Sequence, residues 1–209
     1  MKRASDILKL SPVVPVIALE HADDALSLAE ALLEGGITIM EITLRTKAAF
    51  RAMETIAKEM PDMHVGAGTV INCEDFERAV DYGAQFVFSP GISLDIIQSS
   101  ESLKVPLIPG VATASEVMLA LNSGIDACKL FPATSIGGID LLKSFAGPFS
   151  SMLFCPTGGI TLDNMNDFLA LPNVACVGGS WLVPKGALES DTLHKITAYS
   201  AEAMSRAQR

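Results

Sequence analysis

The sequence is poor in the residues that build metal sites and disulfides. It has 3 histidines, and its 4 cysteines, at positions 73, 128, 155 and 176, form no C-x-x-C pair. His21, His64 and His194 stand far apart, none with a second ligand at metal spacing, which argues against zinc-dependent chemistry and predicts no bound metal. A magnesium site built from carboxylates alone remains open. Three of the cysteines lie in apolar runs, where a free thiol behaves as a small hydrophobe, so the pattern fits a reducing compartment and not a disulfide framework. Positive charge is short as well: 15 Lys and Arg against 24 Asp and Glu give a net charge of −9. An acidic surface repels phosphate backbones and anionic lipid, which disfavours nucleic acid and membrane surfaces as partners. Any anionic ligand then needs a local positive site. No apolar run approaches the roughly 20 residues of a membrane helix. The start, Met1-Lys2-Arg3, imitates the basic opening of a secretion signal, but Asp6 and Lys9 break up the next residues and Pro15 falls inside the apolar stretch Val13–Leu19. A cytoplasmic protein is expected. There is no Pro/Gly/Ser linker, charge block or low-complexity segment, so residues 1–209 are expected to form one domain, opened by a short N-terminal helix.

The composition that remains is apolar and periodic. Hydrophobic residues make up 49% and charged residues 19%, with a mean hydropathy of +0.38, the balance of a chain that buries a large core. Short apolar runs occur at Val13–Leu19, Ile37–Thr43, His64–Thr69, Phe86–Ser89, Leu107–Gly110, Ala127–Phe131, Leu153–Thr157 and Ala175–Gly178. Continuous short runs of this kind suit parallel strands covered on both faces. Amphipathic stretches separate them: Asp23–Leu33, closed by Gly35-Gly36, then Ala48–Lys58, Glu74–Tyr82, Ala114–Asn122, Ile139–Phe145 and Asn164–Leu169, with a last helix near Thr192–Ala207. Eight strands alternating with helices predict an α/β fold, a (β/α)8 TIM barrel. A doubly wound sheet is the alternative, but it usually has fewer strands for this length. Glycines at Gly66-Ala67-Gly68-Thr69, Pro90-Gly91, Pro109-Gly110-Val111 and Gly158-Gly159 mark strand ends that turn into the loops of the C-terminal face, where barrel active sites lie.

Lys129 is the most informative residue. It stands in Ala127-Cys128-Lys129-Leu130-Phe131-Pro132, an apolar strand with no other charge. Alternation puts Ala127, Lys129 and Phe131 on one face, which must look into the barrel because an unpaired ammonium against the helix layer would be costly. Desolvation disfavours the charged form of an amine, and a neutral amine is the nucleophile that forms Schiff bases with carbonyls. A strand-end lysine reaching solvent, or paired with one carboxylate, has the same pattern. Glu41 and Arg45 share a face with Ile39 and Thr43 in strand two and its exit. A carboxylate beside an imine-forming lysine shuttles protons, and a guanidinium fork suits a substrate carboxylate. A structural Glu–Arg pair is the plainer reading of these two residues alone.

Two glycine pairs lie farther along the chain. Pro156-Thr157-Gly158-Gly159-Ile160 ends strand seven and Val177-Gly178-Gly179-Ser180-Trp181 ends strand eight. Barrels frequently hold phosphate with these loops through backbone N–H groups and a helix N-terminus, and Asn164 and Ser180 are placed to cap helices there. A single Gly-Gly more often marks just a tight turn. Thr69 and Thr157, at the ends of strands three and seven, are candidate donors to a carboxylate, or ordinary turn hydroxyls. Gly66-Ala67-Gly68 lacks the third glycine and downstream acid of a dinucleotide fingerprint.

Taken in order, Glu41-Ile42-Thr43-Leu44-Arg45-Thr46, Gly66-Ala67-Gly68-Thr69-Val70, Ser89-Pro90-Gly91, Pro109-Gly110-Val111, Lys129-Leu130-Phe131-Pro132-Ala133, Pro156-Thr157-Gly158-Gly159-Ile160 and Gly178-Gly179-Ser180-Trp181-Leu182 resemble the KDPG/KHG aldolase family (2-dehydro-3-deoxy-phosphogluconate aldolase and 4-hydroxy-2-oxoglutarate aldolase). The resemblance runs from the first strand through the eighth. It implies a class I, metal-free aldolase on a (β/α)8 barrel, without cofactor, commonly a homotrimer, acting on a small 2-keto acid phosphate. By motif position Lys129 looks like the Schiff-base lysine and Glu41 like the proton-transferring carboxylate. Arg45, Thr69 and Thr157 fall where the family holds the pyruvyl carboxylate, with Phe131 in the same substrate-binding set. Gly158, Gly159, Gly178, Gly179 and Ser180 fall where it holds phosphate. Cys128 and Leu130 stand where aromatic residues are common in relatives, and both are expected to face away from the site.

Other functions fit parts of the pattern. An aldolase for the galactonate epimer differs only in stereochemistry, which one sequence does not fix. A phosphosugar isomerase or epimerase barrel shares the phosphate loops but needs no imine-forming lysine, so Lys129 discriminates against it. A non-catalytic phosphate-binding module leaves Lys129, Glu41 and Arg45 without a joint purpose.

Overall fold

The computed structural model describes residues 2–184, 188 and 192–207. Helix α1 (Ala4–Leu8) is followed by β1 (Val13–Ile17), α2 (Ala25–Glu34), β2 (Ile39–Thr43), α3 (Ala49–Glu59), β3 (His64–Gly68), α4 (Cys73–Asp81), β4 (Val87–Phe88), α5 (Leu94–Leu103), β5 (Leu107–Ile108), β6 (Gly110–Val111), α6 (Ala114–Asn122), β7 (Ala127–Leu130), α7 (Gly138–Ala146), β8 (Leu153–Pro156), α8 (Met165–Leu169), β9 (Val177–Gly179) and α9 (Leu193–Arg206). All ladders are parallel, in the orders β5-β4-β3-β2-β1-β9 and β6-β7-β8. The two sheets join on both sides. Bridges Phe154↔Val174 and Thr157↔Gly178 link β8 to the β9 strand. On the other side β5 and β6 are one strand interrupted at Pro109, which has no N–H to give to a ladder. Nine ladder segments thus make eight staves of a closed α/β barrel, as the alternation of runs predicts.

The sequence-based expectation omits the helix between β4 and β5. The structure places α5 there, with Ser93 as its N-cap accepting from Ile96 N and Lys104 closing it in the left-handed region at φ 57. Its interior carries Ser99 and Ser100, both buried, and serine weakens the hydrophobic stripe by which a helix is recognised. Among the described residues no helix is long and apolar enough to cross a membrane.

Two cores result from strand alternation. The outer one lies between strands and helices and takes Met40, Ile42, Val65, Ala67, Cys128 and Leu130 from the outward positions. The inner one fills the barrel with Val14, Ile39, Phe86, Phe88, Ile108, Ala127, Cys155 and Cys176, and is stoppered from below by Ala4, Ile7 and Leu8 of α1. Asp126, at the foot of β7, fastens this stopper: it accepts from Ser5 N at 3.0 Å and Ser5 Oγ at 2.6 Å, and forms an ion pair with Arg3 Nε across 3.4 Å. Asp126→Ala leaves the Ser5 donors unpaired and loosens the α1 plug. The expected cost is about 2 kcal/mol, seen in thermal denaturation as a fall of about 4–8 °C in Tm. An unchanged Tm would show that α1 docks through its apolar contacts alone.

Candidate active site

Every residue of β7 is buried, and its inward position Lys129 points toward β2 on the facing wall. The side chain is 7% exposed, and its Nζ donates to Glu41 Oε1 at 3.1 Å and Oε2 at 3.3 Å. Nζ also lies 5.2 Å from the ring centre of Phe88 and 5.6 Å from that of Phe131. The ammonium is therefore enclosed by one carboxylate and two aromatic faces. Space for the carboxylate comes from β3, whose two upper inward positions are glycines: a Cβ at Gly68 would overlap Glu41 Oε1, and one at Gly66 would overlap the Phe86 ring. Cys128 faces the outer core on the opposite side of β7. Burial, reinforced by Asp126, pushes its thiol far above the ordinary range, so it stays a neutral thiol and does not compete as a nucleophile.

A cavity of about 700 Å³ opens at the C-terminal end of the barrel, within the range of small-molecule sites. Its floor includes Thr43, Phe131 and Thr157, one inward step above Glu41, Lys129 and Cys155 on the same strands. The ion pair lies just beneath this floor. One wall is made by Gly158, Gly159, Gly178 and Ser180, and the adjoining rim by Glu20, His21 and Asp24 after β1, the strand paired with β9. Arg45 is the one lysine or arginine among the described wall residues, the local positive charge an acidic chain needs for an anionic ligand. It does not pair with Glu41. No carboxylate lies within ion-pair distance of Arg45 among the described residues, and its Nε donates only a long 3.5 Å bond to Thr69 Oγ1. Thr69 itself stands outside the wall, in the left-handed region at φ 62. For a β-branched residue that costs on the order of 1–3 kcal/mol, a strain typical of functional positions.

The glycine loops are tied to each other. Ala133 N donates to Thr157 O at 2.8 Å and Thr134 N to Gly158 O at 3.1 Å, so the turn after β7 lies on the turn after β8. Gly158 and Gly159 have φ of +99 and +77, and a Cβ at Gly159 would strike Thr134 Oγ1. Two turn functions therefore require glycine here, independent of any ligand. Asn164 does not cap α8 with its side chain. Its Nδ2 donates to Gly159 O at 3.0 Å and its Oδ1 accepts from Thr161 N at 2.9 Å, which braces the same loop. Ser180 is exposed and is followed by a turn; no helix begins there among the described residues. Gly179 lies outside the cavity wall, with Trp181 stacked where its side chain would be. No group of three or more His, Cys, Asp or Glu among the described residues is arranged to hold a metal.

The structure thus gathers Lys129, Glu41, Arg45, Phe131, Thr157, Gly158, Gly159, Gly178 and Ser180 at one end of the barrel. The sequence motifs include Gly68 but not its role of making room for Glu41, and they omit Phe88 and the β1 rim. Strand parity within Phe86–Ser89 is the signal for Phe88, and the position of Glu20 beyond the first strand is the signal for the rim. The family model for KDPG and KHG aldolase matches residues 4–199. The 2-dehydro-3-deoxy-phosphogluconate aldolase of Dickeya dadantii is 47% identical over 98% of this chain and 96% of its own. The KHG/KDPG aldolase of Escherichia coli K12 is 45% identical over the same shares. The crystal structure of KDPG aldolase from Legionella pneumophila, with pyruvate captured as a covalent carbinolamine intermediate, is 44% identical, covers 97% of this chain and 98% of its own, and superposes with a TM-score of 0.94. A lysine paired with a glutamate under a barrel-end cavity, in a chain matched along nearly its whole length, places this protein in the KDPG and KHG aldolase family.

Proposed function

We propose that the protein is a class I aldolase that cleaves 2-dehydro-3-deoxy-6-phosphogluconate to pyruvate and glyceraldehyde 3-phosphate, and in the same way 4-hydroxy-2-oxoglutarate to pyruvate and glyoxylate. The observation that carries this is the buried Lys129–Glu41 contact at 3.1 Å beneath a cavity large enough for a six-carbon acid. The whole chain acts as one barrel domain, in a reducing cytoplasmic setting that its free cysteines suit.

Lys129 passes a proton to Glu41 and attacks the C2 ketone of the substrate. The Nζ–C2 bond forms, the C2 oxygen leaves as water with the returned proton, and an iminium remains. In sum, ammonium and ketone become iminium and water. Glu41, again a carboxylate, takes the C4 hydroxyl proton, the C3–C4 bond breaks, and its electron pair moves toward the iminium to give a neutral enamine and the free aldehyde. Glu41 then returns the proton to C3, and water releases pyruvate from Lys129. Arg45 and Thr157, with Phe131, hold the pyruvyl end, Thr69 orients Arg45 from outside the wall, and Gly158, Gly159, Gly178 and Ser180 hold the phosphate through backbone N–H groups and a hydroxyl. These steps call on no metal and no cofactor. The rigid barrel holds base and nucleophile in reach before substrate arrives, which removes an orientation cost from the chemical step.

The homotrimer belongs to the same proposal. Ile71 is 65% exposed, Leu94 58% and Met118 54%, apolar side chains on three successive β–α units that are free to be buried between copies.

Borohydride reduction with pyruvate should add one reduced pyruvate to Lys129, located by intact mass and peptide mapping. Lys129→Ala should remain folded, take no adduct and lose measurable cleavage. Adduct or turnover in that variant would remove Lys129 from its role. Glu41→Gln should still trap pyruvate yet exchange the methyl protons of pyruvate for deuterium at least about 100-fold more slowly; exchange at the normal rate by NMR would exclude Glu41 as the base. Light scattering should give a mass of about 66 kDa, three times the 22.0 kDa chain. A mass of one chain would reject the trimer.

A further inference from the structure

Phe88 belongs to no motif, and it does not reach the cavity wall. It is wholly buried on β4 and packs edge-to-face on Phe86, with ring centres 5.8 Å apart and planes at 86°. The Lys129 nitrogen lies over its face, 5.2 Å from the ring centre. Among the described residues Phe131 is the only other ring that faces this nitrogen. Phe131 lines the cavity and is placed to touch a substrate, whereas Phe88 lies below it and can act only through Lys129.

The balance of the imine step gives this contact a use. Ammonium plus ketone gives iminium plus water, so one positive charge sits on the same nitrogen before and after. The carbinolamine and the enamine between and beyond these states carry none. An aromatic face attracts a cation held over it, and most strongly where water is excluded. We propose that Phe88 is a positioning residue whose ring face holds the Lys129 nitrogen and stabilises it whenever it is charged, so that the iminium accumulates at the expense of the neutral adducts. This inference rests on the Schiff-base reading of Lys129.

Phe86 provides the control, because it is as buried as Phe88, belongs to the same inner core and has no cation over its face among the described residues. The experiment replaces Phe88 with phenylalanines bearing one, two and three ring fluorines, which drain the negative face while changing ring volume little. The readout is the ratio of iminium to neutral carbinolamine and enamine on Lys129, taken from the C2 resonances of bound 2-13C-pyruvate at saturating pyruvate. Expected is a stepwise fall in that ratio, roughly three- to tenfold at three fluorines, with an unchanged Tm. The same series at position 86 should leave the ratio unchanged. Phe86→Leu and Phe88→Leu should both lower Tm, but only Phe88→Leu should lower the ratio. A ratio that stays flat across the position 88 series, in a protein whose native form traps pyruvate on Lys129, would overturn the role of Phe88 alone. Absence of the adduct in the native protein would overturn the Schiff-base reading and this inference together.

Discussion

The contact between Lys129 and Glu41 constrains everything else at the upper end of the barrel. Taking both charges out of water costs several kcal/mol per ion, and a well-packed apolar pair of similar volume is often no less stable. The barrel therefore does not contain this pair for stability. It tolerates it because the rest of the site compensates: both carboxylate oxygens accept from Nζ, two aromatic faces cover the nitrogen, and Gly68 leaves the carboxylate its space. Removing any one of these leaves a buried charge less well matched, so the residues around the pair are bound to one another by the same electrostatic demand.

The barrel separates that demand from its own stability along the strand direction. Below the pair the interior is apolar and closed, with Phe86, Phe88, Ile39 and Cys155 packed above Ile7 and Leu8 of α1. Above it the strands end in glycine turns, a strained threonine and an arginine that pairs with no carboxylate among the described residues. Dense packing below gives a floor that does not move, and the polar irregularity above faces solvent where unpaired groups are hydrated. Such a division lets loops carry chemistry on a scaffold that the chemistry does not weaken.

Much of this is legible in the sequence, because it depends on local pattern. A lone lysine in an apolar strand can face only inward, and parity alone then sets Phe131 beside it and Glu41 in line with Thr43 and Arg45. The barrel follows from the alternation of runs, with α5 missed where Ser99 and Ser100 blur the stripe. The partnership of Glu41 is not legible. Arg45 is four positions away and Lys129 is 88, and periodicity says nothing about which strands face each other across a barrel. Gly68 and Phe88 are hidden for the same reason: their meaning lies in atoms from other strands. Asn164 shows the converse, a residue whose local pattern suits a helix cap but whose side chain is drawn to Gly159 by the fold.

The acidic character of the chain bears on how an anionic substrate is held. With a net charge of −9 and with Glu20 and Asp24 on the rim, the long-range field does not draw anions in, and salt screens what attraction Arg45 exerts beyond about 8–10 Å. In the proposed function, recognition comes from short contacts made after entry: the guanidinium fork at one end and glycine backbone at the other, each effective only at hydrogen-bond distance. At the reacting nitrogen the design is complementary. There, in the proposed mechanism, the charge on Lys129 is present before the substrate and again in the iminium, so the same carboxylate and ring faces would serve both, and the surroundings would need little rearrangement between them. A site whose dipoles and rings are already set for the charged intermediate avoids the reorganisation that water would require.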